Sequence, residues 1–396
     1  MSLPQVRLAP SAVKRVRNFD CWVFRDELLP PIPSLPNGST VELTDEADTF
    51  LAYAFYSSVS SIAARVVSLD RREPVDRRLI AARVRDALRR RAGITGTTAL
   101  RLVFSEADGL PGLIADRYGD YLVLQIRTAG MEALKRDVVE ELRAQCAPKG
   151  MLERSDKDFR EDEGLEPAAG LLFGAVPERI EIEEHGLRFL VDPYHGQKTG
   201  FYLDQRDTRR VVRDRLRPGH RVADVFAYTG AFGIAAAAAG AQVVCVEREE
   251  PYLALAREHA ALNKVSAQIE TVAGDAFYWV EAAAKRGDRF DWVLLDPPSL
   301  AKQKADTSRG RQALQQLVRH ALGLLTDDGT LVVSVCTYHL LGLAEEIVRI
   351  AAADAGIRLR VCGMGMQASD HPWMLQMPMT RYLTSWFLQR DGSRAA

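Results

Sequence analysis

From about residue 218 the chain settles into a pattern that few folds can accommodate. Short apolar runs alternate with runs of helical spacing. "HRVADVFA" leads to "FGIAAAAAG", "AQVVCVE" to "PYLALAREHAALNK", and "AQIETVAGD" to "AFYWVEAAAKRG". "FDWVLLD" precedes a helix expected around 308–325, and "TLVVSVC" precedes "LLGLAEEIVRIAAADAG". Buried strands alternating with helices imply an α/β fold with a mainly parallel, doubly wound sheet. Two last runs, "IRLRVCG" and "RYLTSWFLQR", are expected as an antiparallel edge pair.

The rest of the chain follows other rules. With 396 residues, two or three domains are expected. Residues 1–70 carry strand-length apolar runs separated by turns such as "PNGS", which reads as a small all-β domain. Residues 71–190 read as a central α+β domain. It has a helix over 75–93, a hairpin turning at Gly119-Asp120, a helix in "MEALKRDVVEELRAQC", and a closing hairpin in "PERIEIEEHGLRFLVD". The charged stretch 154–168 is expected to be mobile. Residues 191–396 form the third part, and a fragment of 190–396 is expected to keep cofactor binding.

Composition excludes some classes. No apolar run approaches the ~20 residues of a membrane helix, and the N-terminus lacks a secretory stretch, so a cytoplasmic chain is expected. The five cysteines show no CxxC pair, so no metal is expected; most thiols are read as reduced core residues. The net charge is −1, but residues 71–91 hold nine arginines against three acids. A solvated helix face is the first reading of that run, and phosphate contact the second.

In a doubly wound sheet, ligands lie beyond the carboxyl ends of the strands. Here those ends are Asp224, Glu247, Asp275, Asp296 and Cys336. The loop "DVFAYTGAFG" supplies Gly230 and Gly233 for close backbone approach. It is not a GxGxxG dinucleotide loop, and no phosphate-binding lysine motif accompanies it. A site rich in acids suits a cationic ligand without phosphates, as S-adenosylmethionine is. Glu247 would hold the ribose, and Asp275 an adenine amino group.

The stretches "SEADGLPGLIADRYGDYLVLQ", "IEEHGLRFLVDPYHGQKTGFYLDQRDTR", "FAYTGAFG", "LLDPPSLAK", "SVCTY" and "DHP" resemble a known family. It is that of the RlmI/YccW-like 23S rRNA (cytosine-C5)-methyltransferases. The likeness covers nearly the whole chain, although "NFDCWVFRDEL" and "DHPWMLQMPMTRYLTSW" depart from the usual pattern. It implies an N-terminal PUA domain, a central α+β domain and a Rossmann-like class I methyltransferase domain. The cofactor implied is S-adenosylmethionine. The implied partner is 23S rRNA, free or in an assembly intermediate; no membrane is expected, and a homodimer stays open.

The resemblance makes Cys336 the nucleophile, and Asp296 a hydrogen-bonding group for the base. Cofactor-binding candidates are Asp224, Phe226, Tyr228, Gly230, Gly233, Glu247, Asp275, Ala276 and Asp296. Substrate-binding candidates are Lys198, Tyr202, Arg206, Pro297, Pro298 and His371, with Asp204 beside them. A thiol suits addition to carbon 6 of cytosine, because it is nucleophilic and leaves well. Ser299, where amino-group methylases carry an aromatic residue after the two prolines, points the same way. The alternatives are a class I enzyme for a nucleobase amino group, a protein or a small molecule, and an RNA-binding assembly factor with an inactive site.

Overall fold

The structure is a computed structural model that describes residues 3–156, 160–301 and 303–391. Two compact units divide the chain. The first holds residues up to 182 with 191–203 and 369–380; the second holds 183–190, 204–368 and the segment from 381.

The first unit contains two five-stranded sheets. β1 (Gln5–Arg7), α1 (Pro10–Arg17), β2 (Trp22–Phe24), β3 (Thr40–Thr44), β4 (Phe50–Tyr56) and β5 (Ile62–Ser68) come first. Their strands order as β1-β3-β4-β5-β2. Helix α1 was not expected in an all-β region. Its signal is Pro10 at the helix start, followed by buried Ala12, Val13 and Val16. Next come α2 (Arg77–Arg91), β6 (Ala99–Phe104), β7 (Leu113–Tyr118), β8 (Tyr121–Ile126), α3 (Ala129–Ala133), α4 (Lys135–Cys146), β9 (Gly150–Ser155) and β10 (Ala168–Gly174). These strands order as β10-β9-β8-β7-β6. The β7–β8 hairpin turns at Gly119-Asp120, and Gly119 is left-handed with φ 56°. The single helix expected from "MEALKRDVVEELRAQC" breaks at Leu134 into α3 and α4.

Backbone contact joins the two sheets. A Cβ on Gly130 would lie 2.1 Å from the Phe55 ring, and one on Gly38 2.6 Å from the Ala129 oxygen. Arg65 on β5 then reaches Glu106 at 3.2 Å and Glu163 at 2.9 Å. The Trp22 indole N–H also donates to Glu106, at 2.9 Å.

Most arginines of the 71–91 segment that face neighbours are engaged in ion pairs. Arg77 meets Glu140 and Glu141, Arg83 meets Glu73, and Arg90 and Arg91 share Asp108. The stretch 154–168 also differs from expectation. Arg154 and Arg160 are buried, and they donate to the Pro193 and Ile126 carbonyls. Residues 157–159 of that stretch lie outside the described residues.

The hairpin β11 (Ile180–Glu184) and β12 (Leu187–Val191) turns at His185-Gly186, both left-handed. In the second unit follow α5 (Arg206–Arg215), β13 (Arg221–Val225), α6 (Ala231–Ala238), β14 (Gln242–Glu247), α7 (Glu250–Leu262), β15 (Ile269–Ala273) and α8 (Ala276–Arg286). Then come β16 (Phe290–Leu295), α9 (Thr307–Leu322), β17 (Leu325–Val335), α10 (Tyr338–Leu341), α11 (Ala344–Asp354), β18 (Leu359–Met366) and β19 (Thr384–Arg390). The seven strands order as β15-β14-β13-β16-β17-β19-β18. The first five are parallel, and β19 runs antiparallel between β17 and β18. Ala223, Val225, Val293, Leu295, Leu331 and Val333 of the central strands are buried in one apolar core.

Strand order reverses between β13 and β16, so a crevice opens beyond their carboxyl ends. Of the five cysteines only Cys245 is buried, so most are not core residues as expected. Among the described residues no helix is long and apolar enough to cross a membrane.

Candidate active site

The loop after β13 is built on its own strain. Phe226 and Tyr228 take left-handed backbone conformations, with φ 64° and 49°, and Gly230 follows with φ 74°. Non-glycine residues held there cost energy and cluster at ligand sites. The Asp224 carboxylate ties the loop down by accepting the Gly233 N–H at 2.8 Å. Gly233 has no room for a side chain: its Cβ would sit 2.5 Å from Cys245 Sγ. Burial pushes the Asp224 carboxyl up to about 7; the Gly233 N–H opposes this, while the charges of Asp296 and Glu247 add to it.

Glu247 closes the neighbouring strand. Its carboxylate accepts the N–H groups of Tyr228 at 2.9 Å, Arg248 at 2.8 Å and Glu249 at 3.2 Å. Asp275 caps α8 by accepting the Tyr278 N–H at 3.1 Å, and it pairs with Arg248. The cap bond first, and Arg248 with it, hold this carboxyl below the ordinary range. Ala276 opens α8 and is buried. Two aromatic pairs flank the loop, Phe226–Phe277 at 5.3 Å and Tyr228–Tyr252 at 4.6 Å between ring centroids. Thr229 is 1% exposed, and its Oγ1 has no hydrogen-bond partner among the described residues.

The remaining chemistry stands at the ends of β16 and β17. Leu295 pairs with Val333 in register, so Asp296 and Ser334 come level and Cys336 projects two residues further. The half-buried Cys336 thiol donates to the Pro297 carbonyl at 3.4 Å. Ser299 and Thr337 share a hydrogen bond of 2.7 Å that binds the two strand-end loops together. The Gln205 amide donates to Asp296 Oδ1 and to Ser334 Oγ, each at 3.1 Å. This crevice therefore gathers carboxylates, a thiol and aromatic walls.

Residues 121–353 match the family of S-adenosylmethionine-dependent methyltransferases. The chain belongs to that family. Residues 6–69 match the PUA-like domain. The chain is 34% identical over 369 residues to the ribosomal RNA large subunit methyltransferase I of Shigella boydii serotype 18, covering 91% of this chain and 93% of that one. The same figures hold for the protein of that name from Escherichia coli O139:H28. The chain is a member of that group within the methyltransferase family.

A solved protein of Streptococcus mutans, described as a SAM-dependent methyltransferase, shares the fold. Its TM-score is 0.83 at 22% identity, over 98% of this chain and 100% of that one. A second solved methyltransferase with the same figures carries SAH.

The cofactor of this methyltransferase is S-adenosylmethionine, and the crevice fits it. The orphaned Thr229 Oγ1 awaits a polar partner, Glu247 has oxygens suited to hydroxyls, and the aromatic pairs suit a purine. Phe277, Tyr252, Thr229 and Gln205 were not singled out in the sequence. An aromatic residue two positions past a strand-end acid was the available signal for Phe277; Thr229 and Gln205 lie inside the family-like stretches "FAYTGAFG" and "GFYLDQRDTR", and Tyr252 had no signal.

The substrate candidates divide. Asp296, Pro297, Pro298 and Arg206 belong to the second unit, and Lys198, Tyr202 and His371 to the first. The Lys198 ammonium lies 4.2 Å from the Tyr202 ring centroid. Arg206 is only 1% exposed, and so is closed off from a surface phosphate. His371 is likewise buried, and its Nδ1 lies 3.0 Å from Asp370 Oδ1. Asp204 accepts the Tyr382 hydroxyl at 2.6 Å.

Proposed function

We propose that the chain methylates carbon 5 of a cytosine in 23S rRNA through a covalent bond between Cys336 and carbon 6. The observation that carries this reading is the thiol of Cys336 against the Pro297 carbonyl, beside the Asp296 strand end. The name of the relatives supports the large-subunit RNA as substrate. The PUA-like match supports RNA binding by the N-terminal part. We assign 1–70 to RNA binding, 71–190 to a central supporting domain and 191–396 to methyl transfer.

S-adenosylmethionine, when bound, supplies an electrophilic methyl group. Cys336, as thiolate, adds to carbon 6 of a base unstacked from the RNA. The carbon 5–carbon 6 double bond opens, and its electrons move toward the N3 edge. N3 takes up a proton from solvent as that charge builds, and the Asp296 carboxylate accepts from the resulting N3–H and from the exocyclic amine; N3 gives the proton back when the ring is restored. Carbon 5 then takes the methyl group, whose bond to the sulfonium sulfur breaks with its electron pair kept by sulfur, so that S-adenosylhomocysteine is the leaving group. A base removes the carbon 5 proton, and the returning double bond expels the Cys336 thiolate. Asp224, Phe226, Tyr228, Gly230, Gly233, Glu247, Asp275 and Ala276 hold the cofactor in this scheme. Lys198 and Tyr202 meet the RNA, and buried Arg206 and His371 support the loops they sit in.

Loss of hydrogen from carbon 5 distinguishes this reaction from amino-group methylation. Unmodified 23S rRNA carrying tritium at carbon 5 of its cytosines should release one tritium for each methyl group transferred. Transfer without tritium release would remove the carbon 5 assignment and favour an amino-group acceptor.

A further inference from the structure

Gln205 ends the short helical turn Leu203–Gln205 and is 2% exposed. Its amide touches Asp296 Oδ1 and Ser334 Oγ, both at 3.1 Å. An ionised carboxylate only accepts hydrogen bonds, so the amide must turn its NH2 group toward Asp296. The second N–H of that group goes to Ser334, whose hydroxyl is 2.7 Å from Ser385. Both amide hydrogens are thereby used, and the carbonyl Oε1 is left over. That oxygen is buried and has no hydrogen-bond partner among the described residues. A buried acceptor without a donor is a standing cost to the fold, so a donor arriving with a ligand would recover it.

Oε1 belongs to the same planar amide that contacts Asp296. A group docked on the Asp296 carboxylate therefore meets a second acceptor beside it. Cytosine carries an amino group with two hydrogens at carbon 4; uracil carries a carbonyl oxygen at the same place. Two adjacent acceptors accommodate the first and repel the second.

We infer that Gln205 Oε1 accepts the exocyclic amino group of the target base, so that Gln205 and Asp296 together select cytosine against uracil. This rests on the cytosine reading above. Ser334 and Ser385 orient the amide through their shared hydrogen bond, and Asp296 holds it from the other side.

The test uses the full-length chain and RNA carrying a trapping base at the position the wild-type protein methylates. The base is either 5-fluorocytosine or 5-fluoro-2-pyrimidinone, which lacks the amino group. Gln205→Met should slow adduct formation with 5-fluorocytosine by about 10- to 100-fold, the loss of one buried hydrogen bond. It should not slow the reaction with the pyrimidinone, because the partner is already missing there. Affinity for S-adenosylmethionine, measured by calorimetry, should be little changed. Equal slowing on both bases would reduce Gln205 to a structural role. A parallel loss of cofactor affinity would give Oε1 to the cofactor's amino group instead. Either result overturns the inference, as does an unaffected rate.

Wild-type protein provides an arm that does not depend on the variant folding. Uracil placed at the target should be methylated at least about 100-fold more slowly than cytosine, and equal rates overturn the selection. Tritium release by wild-type protein separates the two layers. Its absence sinks the cytosine reading together with this one, whereas its presence with an unaffected Gln205→Met sinks only this one.

Discussion

Asp224 and Glu106 illustrate opposite outcomes for a buried carboxyl. Burial, with Asp296 and Glu247 nearby, pushes Asp224 up to about 7 from an ordinary 3.8. Between these values the folded chain keeps a proton that the unfolded chain releases, so stability falls as pH rises through that window and levels off above it. Asp224→Asn removes the titrating group and keeps an oxygen for the Gly233 N–H. Thermal melts from pH 5 to 8 should show wild-type protein losing stability relative to the variant, by at most about 3 kcal/mol. Parallel curves would mean that Asp224 ionises normally. Burial would also raise Glu106, but Arg65, Ser105 and Trp22 outweigh it and hold the carboxyl below its ordinary range. Its contribution is present above pH 4.5 and is lost as pH falls through the lowered value. The strand-end acids were legible in the sequence because apolar runs fix where strands stop. Gln205 was not, because the carboxylate that orients it lies 91 residues away.

Elements are joined in this chain by close approaches that allow one residue type. At Gly233 an added Cβ would press on Cys245 Sγ at 2.5 Å and on Asp224 Oδ2 at 3.1 Å. Gly233→Ala should cost about 1–3 kcal/mol by overpacking α6 against β14. Adding Cys245→Ala should return part of that loss in urea unfolding, since it removes the nearer obstacle; no recovery would place the strain elsewhere. Arg65 joins β5 to the second sheet of its unit by pairing with Glu106 and Glu163. Arg65→Ala leaves two buried carboxylates without that partner, and should destabilise the protein by about 3–5 kcal/mol. A denaturation midpoint close to wild type would show that the pairing contributes little. The parallel strands and their helices were readable from period alone. Helix α1 is only eight residues long and lies among strands, so its pattern was too short to stand out. The break at Leu134 depends on packing, and no glycine or proline marks it in the sequence.

At the scale of the whole molecule, the two compact units do not follow the chain in order. Residues 183–190 belong to the second unit, and 191–203 and 369–380 to the first. Long-range crossings of this kind leave no local signature, so the sequence suggested a clean cut near 190. The geometry alters the expected behaviour of that fragment. Buried Arg209 pairs with Glu184 through two hydrogen bonds of 2.7 and 2.6 Å, and a 190–396 fragment would lose Glu184. Residues 369–380 would lose Arg91 and Arg101, which bind Asp370. The fragment should therefore unfold at lower temperature than the full chain and bind S-adenosylmethionine poorly; a stable, cofactor-competent fragment would reverse this view. In the proposed reading, the fold brings a cytosine against the Cys336 thiol. Trapping tests it most directly, because fluorine at carbon 5 cannot leave as a proton does. Full-length protein, S-adenosylmethionine and RNA carrying 5-fluorocytosine at the target should give a covalent adduct that peptide mapping places on Cys336, and Cys336→Ala should give none while still binding the cofactor. An adduct on another cysteine, or continued turnover by Cys336→Ala, would contradict the account.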